Sequence, residues 1–205
     1  MPVSPRIVWL FDIDGTLLST EGAAREALSL AVRDCLGVED DLRDIAFAGR
    51  TDPLILGDIL AKHGRVFSDG EASRLWAASY AHMDTLLTPG RTTGMARIKL
   101  RHFGIAGRFA FGAFGEEAVD RNELARVAVT RAAERCGVPP SRCIVVGDTE
   151  HDIACARAAG AQVVAVATGV RAREDLARHR PDLLLDDLSD PAGCLALARG
   201  LGGGP

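Results

Sequence analysis

No apolar run in this 205-residue chain approaches the roughly eighteen residues that cross a membrane. The run Ile7 to Phe11 is cut short by Asp12 and Asp14, and it is too brief for the apolar stretch of a signal peptide. No membrane partner is expected. Cysteine is sparse and odd in number, with Cys35, Cys136, Cys143, Cys155 and Cys194 and no CxxC pair. That excludes a disulfide framework and a zinc site, and points to a reducing, cytoplasmic setting. Basic residues form no long runs, the net charge is −4 and the isoelectric point is about 5.7. Binding to a phosphate backbone needs a concentrated basic surface, so no nucleic-acid partner is expected. Lysine is nearly absent: of 24 basic residues only Lys62 and Lys99 are not arginine. Chemistry that needs a compact ammonium has two candidates. No internal repeat is present.

What remains is ordinary globular material, 47% apolar and 25% charged, enough for a sizeable core in one to two domains. Arg6 to Phe11 reads as a buried strand ending at Asp12-Ile13-Asp14-Gly15-Thr16. Helices are expected from Gly22 to about Leu36, from Thr51-Asp52-Pro53 to His63, and from Glu71 to about Leu87. Residues 20–87 hold no strand candidate. Past Pro89-Gly90 the pattern alternates. Ala96 to Phe103, Glu123 to Cys136, Asp152 to Ala159 and Glu174 to His179 read as helices. Phe109 to Phe114, Cys143 to Val146, Gln162 to Ala167 and Asp182 to Leu185 read as strands, and Leu201 to Pro205 as a frayed tail. Alternation of this kind builds an α/β fold, a parallel sheet covered on both faces, here with an all-helical insertion after the first strand.

Two strand ends carry paired acids, Asp12 with Asp14 and Asp148 with Asp152. Ligands of open α/β sheets bind at the carboxyl ends of strands. If the two strands are neighbours, four carboxyl groups converge, and their mutual repulsion calls for a cation. A small set of oxygen ligands with room for water and phosphate oxygens suits Mg²⁺. One Asp-rich turn is ordinary surface chemistry; two, each at a strand end, are not.

Phe11-Asp12-Ile13-Asp14-Gly15-Thr16-Leu17 resembles the DxDGT signature of the haloacid dehalogenase superfamily, and Val146-Gly147-Asp148-Thr149-Glu150-His151-Asp152 resembles its distal GDxxxD motif. Gly49-Arg50-Thr51-Asp52 looks like a cap motif of the phosphoglycolate-phosphatase-like branch. The resemblance implies a doubly wound, Rossmann-like core at residues 1–18 and 89–205 and a helical cap at 19–88. It implies Asp12 as nucleophile and Asp14 as acid and base. The metal would be held by the Asp12 carboxylate, the Asp14 carbonyl and Asp148, with Asp152 a ligand or an anchor. Dehalogenation is disfavoured, because that branch lacks the second Asp. The phosphoryl group would be bound by Thr93 with Gly94, and its charge offset by Lys99. Arg121 is the fallback, at the place where many relatives carry the lysine. Gly15, Thr16, Arg50 and Thr51 would meet the substrate, Arg50 near a second anionic group, and His151 falls near the metal.

The function so implied is Mg²⁺-dependent hydrolysis of a small phosphorylated metabolite through an aspartyl-phosphate. The alternatives are a mutase of the β-phosphoglucomutase type and an inactive binding protein on the same fold. The pattern departs from the family in one place. Only Arg91 and Thr92 separate Pro89-Gly90 from Thr93-Gly94, where relatives place a helix and the second core strand, about twenty residues. Three accounts are open: residues missing from this sequence, which the lack of any compensating strand favours; a true deletion with a rearranged sheet, in which the first strand pairs with a new neighbour, most simply Phe109 to Phe114; or a deletion that leaves the protein inactive.

Overall fold

The computed structural model describes residues 6–66, 68–87 and 95–202. Thr93 and Gly94 lie outside them. The chain divides into two compact units, one of residues 1–18 and 111–205, the other of residues 19–110. The sequence pattern sets the boundary at 88/89 instead, so the two divisions differ by the segment that carries Lys99.

The first unit is built on four parallel strands in the order β1 (Val8–Phe11), β2 (Cys143–Gly147), β3 (Gln162–Val166) and β4 (Leu183–Leu185). Between them run α5 (Arg121–Cys136), α6 (Glu150–Ala158) and α7 (Arg173–Arg178), with α8 (Ala192–Gly202) last. The alternation of strand side chains sorts the core into two layers. Leu10, Cys143, Val145, Val163, Ala165 and Leu184 pack with Val129, Ala132, Ile153, Ala156 and Leu176 from α5, α6 and α7. Trp9, Phe11, Ile144, Val146, Val164, Val166 and Leu183 pack with Cys194, Leu197, Ala198 and Leu201 of α8. The expected tail at Leu201 is thus the last turn of a helix that covers the second face. β2 is buried at every residue, as a strand sandwiched between two helical layers must be. β1, at the edge of the described sheet, is half-buried throughout.

β1 pairs with β2, Val8 opposite Cys143 and Phe11 opposite Val146. Phe109 to Phe114 is not a strand and is not the partner of β1. The Gly112 carbonyl, which a ladder would need, accepts from Arg131 instead, at 2.5 Å. Phe111 is folded into the core, and short 3₁₀ turns flank the segment at Ala106–Arg108 and Gly115–Glu117. The sheet therefore joins the strands carrying the two acidic motifs without an intervening strand.

The second unit is helical, with α1 (Ala23–Leu36), α2 (Asp52–Lys62), α3 (Asp69–Leu87) and α4 (Met95–His102). Gly37 ends α1 in the left-handed region at φ 69°, returning its N–H to the Arg33 carbonyl. Leu28, Val32, Leu56, Ile59, Leu60 and Leu75 form one core, and Ala27, Met83 and Ile98 a smaller one. None of the described helices is long and apolar enough to cross a membrane.

Candidate active site

The register of β1 on β2 fixes the site. Phe11 lies opposite Val146, and the ladder runs one bond further, from the Asp12 N–H to the Val146 carbonyl at 2.9 Å. Asp12 and Asp148 therefore leave the sheet side by side. The chain then turns into α6, and Thr149 is its N-cap. Thr149 and Asp152 form a reciprocal capping box: the Thr149 N–H and hydroxyl donate to Asp152 Oδ2 at 3.0 and 2.6 Å, and the Asp152 N–H donates to Thr149 Oγ1 at 3.4 Å. The spacing of the distal motif is thus the spacing of a strand end, a helix cap and the third helical residue. Gly147 is needed for this turn, because a Cβ there would lie 2.2 Å from the Asp152 Cγ.

Oxygens of Asp12, Asp148 and Asp152 lie within 4.8 Å of one another. Asp148 and Asp152 are buried and Asp12 partly so. Burial, then repulsion from Asp152, raises the Asp12 carboxyl to about 7, although Arg121 opposes the shift. Burial and Asp152 also raise Asp148 to about 6, against a hydrogen bond that Asp148 accepts from the buried Thr16 hydroxyl at 3.1 Å. The donor set is all oxygen and strongly anionic, which fits a hard divalent cation. Asp152 has both oxygens engaged, one by Thr149 and the other by Arg121. That suits an anchoring role better than a place as a free ligand.

Arg121 is the cation that the sequence reading set second. It is the first residue of α5, aimed by its N-cap Asp120, whose carboxylate accepts from the N–H groups of Asn122 and Glu123. Its Nη2 donates to Asp12 Oδ1 at 2.9 Å and to Asp152 Oδ1. Burial works against the guanidinium, but Asp152 and Asp12 outweigh it and hold Arg121 protonated above its ordinary range. Its Nε is buried and has no acceptor among the described residues. A sequence signal was present: Asp120 followed three residues later by Glu123 marks a helix start at Arg121 rather than at Glu123.

The other expected residues are distributed as follows. Asp14 is exposed just past the strand end, in a single bridge with Leu18. Gly15 has φ 83°, in the left-handed region. Lys99 is buried on α4, in the helical unit. Arg50 pairs with Asp58 and reaches the Leu54 carbonyl at 3.5 Å, within that same unit. Thr51 is the buried N-cap of α2, and its side chain makes no capping bond. The His151 side chain is half exposed, with Nε2 3.7 Å from a Glu150 oxygen.

Known proteins place these features in one family. The model of the HAD (haloacid dehalogenase) hydrolase-like family matches residues 123–191. A phosphoglycolate phosphatase of Xylella fastidiosa is 30% identical over 194 residues, 83% of this chain and 84% of that protein. The pyrophosphatase PpaX of Bacillus pumilus is 26% identical over 200 residues, 88% of this chain and 92% of that protein. An alignment of 200 residues that takes up 88% of a 205-residue chain leaves about twenty of the relative's positions without a counterpart here. Among solved structures, CbbY from Rhodobacter sphaeroides in complex with phosphate superposes with a TM-score of 0.71 at 20% identity, over 94% of this chain and 99% of that one. With its acidic motifs joined across adjacent parallel strands, and with that degree of identity over most of a relative's length, the chain belongs to the haloacid dehalogenase-like hydrolases.

Proposed function

We propose that this hydrolase cleaves a small phosphomonoester, with Asp12 as nucleophile and Mg²⁺ as cofactor. The observation that carries the reading is the convergence of Asp12, Asp148 and Asp152 at the ends of β1 and β2, with Arg121 bridging two of them. Asp12 and Asp148, with the Asp14 carbonyl, would hold the cation. When bound, the metal neutralises the carboxylates and draws charge from the phosphoryl oxygens.

The rest is done by the chain. The Asp12 carboxylate attacks phosphorus and forms an aspartyl-phosphate, while Asp14 gives its proton to the departing alcohol. Asp14 then takes a proton from water as that water attacks phosphorus and frees Asp12. Splitting one displacement into two lowers each barrier, and a positioned acid and base contributes about 10²–10⁴-fold. Arg121 keeps Asp12 oriented through the 2.9 Å bond that its Nη2 donates to Asp12 Oδ1. Lys99 is the residue assigned to offsetting the phosphoryl charge.

The test is a panel of small phosphate esters, with and without Mg²⁺. Expected are Mg²⁺-dependent release of phosphate and a phosphorylated protein that Asp12→Asn cannot form. No turnover across the panel, or turnover unchanged in Asp12→Asn, would refute the reading.

A further inference from the structure

A third strand end closes the site. β3 runs out at Val166, and Ala167-Thr168-Gly169 follow. The Thr168 hydroxyl donates to the Gly15 carbonyl at 2.5 Å, joining the turn after β3 to the turn after β1. Between these two turns stands the Asp148 carboxylate. A Cβ on Gly169 would lie 1.6 Å from Asp148 Oδ2 and 2.5 Å from its Cγ. A Cβ on Gly15 would lie 2.7 Å from the same Oδ2 and 2.9 Å from Cγ. Real atoms do not approach so closely. The carboxylate thus sits in a slot whose two walls are bare α-carbons, and its other oxygen accepts from Thr16.

We propose that Thr168 and Gly169 are positioning residues of this site: Gly169 is one wall of the slot that orients Asp148, and the Thr168 hydroxyl latches that wall to the Gly15 turn. The inference rests on the reading of Asp148 as a metal ligand. It extends that reading to a strand end that neither acidic motif contains. The physical reason is that a carboxylate binds a cation well only when its rotamer is set beforehand, so the surroundings of a ligand count nearly as much as the ligand itself. Glycine at 169 is required by close approach, since its φ lies outside the left-handed region. A methyl group is therefore enough to fill the slot.

The experiment measures Mn²⁺ binding to the metal-free protein, by electron paramagnetic resonance of the free ion, for wild type, Gly169→Ala, Thr168→Val and Thr168→Ser. Melting temperatures check the fold, and crystals of the two disruptive variants show the Asp148 side chain. Gly169→Ala should weaken Mn²⁺ binding by about tenfold or more and turn Asp148 away from Thr16. Thr168→Val should weaken it by about threefold to tenfold, the worth of one hydrogen bond, and Thr168→Ser should restore it. A folded Gly169→Ala that binds as wild type does, or keeps Asp148 on Thr16, overturns the inference. If Gly169→Ala does not fold, equal binding by wild type, Thr168→Val and Thr168→Ser overturns it. If wild type binds no Mn²⁺, the metal reading fails on its own account, and the Asp148 orientation in the variants still decides the slot.

Discussion

The molecule holds two acid-rich clusters that treat their charges in opposite ways. In the helical unit, Lys62 Nζ lies 2.7 Å from Asp40 and 2.6 Å from Asp44, and His63 Nε2 lies 2.8 Å from Asp40. Hydrogen bonds from Lys62 hold both carboxyls below their ordinary value, and burial opposes them only in part. In the core unit, Asp12 and Asp152 share Arg121, Asp148 takes its hydrogen bond from Thr16, and burial pushes Asp12 and Asp148 up. The first cluster is a clasp between a loop and a helix, in which one ammonium serves two carboxylates. The second is an arrangement whose carboxylates are costly to ionise together. Perturbed carboxyls in a cluster at strand ends mark a place where charge is to be handled, whereas lowered ones at a surface mark a closed account.

The sharpest way to break that contrast is to remove Asp12, the proposed nucleophile. Asp12→Asn should reduce turnover by more than about 10⁴-fold, the scale of losing a group that acts as part of a catalytic unit. Covalent phosphorylation, followed by intact mass, should vanish with it. Since the change also removes a charge that repels Asp148 and Asp152, the metal-free variant should melt no lower than wild type. A variant that stays active makes the core cluster no more catalytic than the clasp.

Arg121 comes next. Arg121→Ala should lower kcat by about 10²–10³-fold, as when one preorganised donor is taken from a developing charge. Its Nη2 serves two carboxylates at once, so the loss should also lower the melting temperature of the metal-free protein at pH 8, and added Mg²⁺ should restore part of it. Arg121→Lys keeps the charge but not the planar fork, and should recover only part of the rate. Full activity in Arg121→Ala would leave the offsetting of the phosphoryl charge to Lys99 alone. That residue has its own check: Lys99→Ala should cost more activity than Lys62→Ala.

These tests divide along the line that separated what could be read from what could not. The acidic motifs, the four strands themselves and the helical insertion follow from periodicity and turn chemistry, since each depends on residues near one another in the chain. The pairing of β1 with β2 depends on residues 135 apart, Val8 on Cys143, and no local pattern carries it. The apolar, aromatic content of Phe109 to Phe114 looks like a strand, yet Phe111 is a core plug and Gly112 a hydrogen-bond acceptor for a side chain. α8 was hidden by its Gly-rich end. Arg121 was visible as a charge but was ranked below Lys99 on chemical type. What placed it on Asp12 was the cap at Asp120, a signal of position.

Proton linkage gives a smaller effect with a definite sign. Asp12 is raised from the ordinary 3.8 to about 7, and Asp148 to about 6. Between those limits the folded protein binds more protons than the unfolded chain. The contribution of both groups to stability is therefore present at low pH and is lost as pH rises through 6 and 7. The melting temperature of the metal-free protein should fall over that interval by several degrees. The proposed Mg²⁺ would bind the ionised form, so the rise in melting temperature that it produces should be larger at pH 8 than at pH 5. A Mg²⁺ effect that is flat with pH would mean that the core carboxyls are already ionised at pH 5, as those of the clasp are.

The least effect is expected at the clasp itself. Lys62→Ala removes the cation between Asp40 and Asp44, but Lys62 and Asp44 are partly open to water, where attraction is screened, and the more buried Asp40 keeps its hydrogen bond from the Leu42 N–H at 2.9 Å. The melting temperature should fall by about 2 °C or less, and the difference from wild type should shrink further in 1 M salt. Its pH dependence should run opposite to that of the core. Carboxyls held below their ordinary value stabilise the fold above about pH 4, and that stability disappears as pH falls through their lowered values. Activity should stay within about twofold of wild type, because no step of the proposed mechanism uses the loop that Lys62 holds. If Lys62→Ala instead matches Arg121→Ala in lost turnover, the two clusters are not independent. The clasp would then belong to catalysis, and the roles assigned to Arg121 and Lys99 would have to be given up.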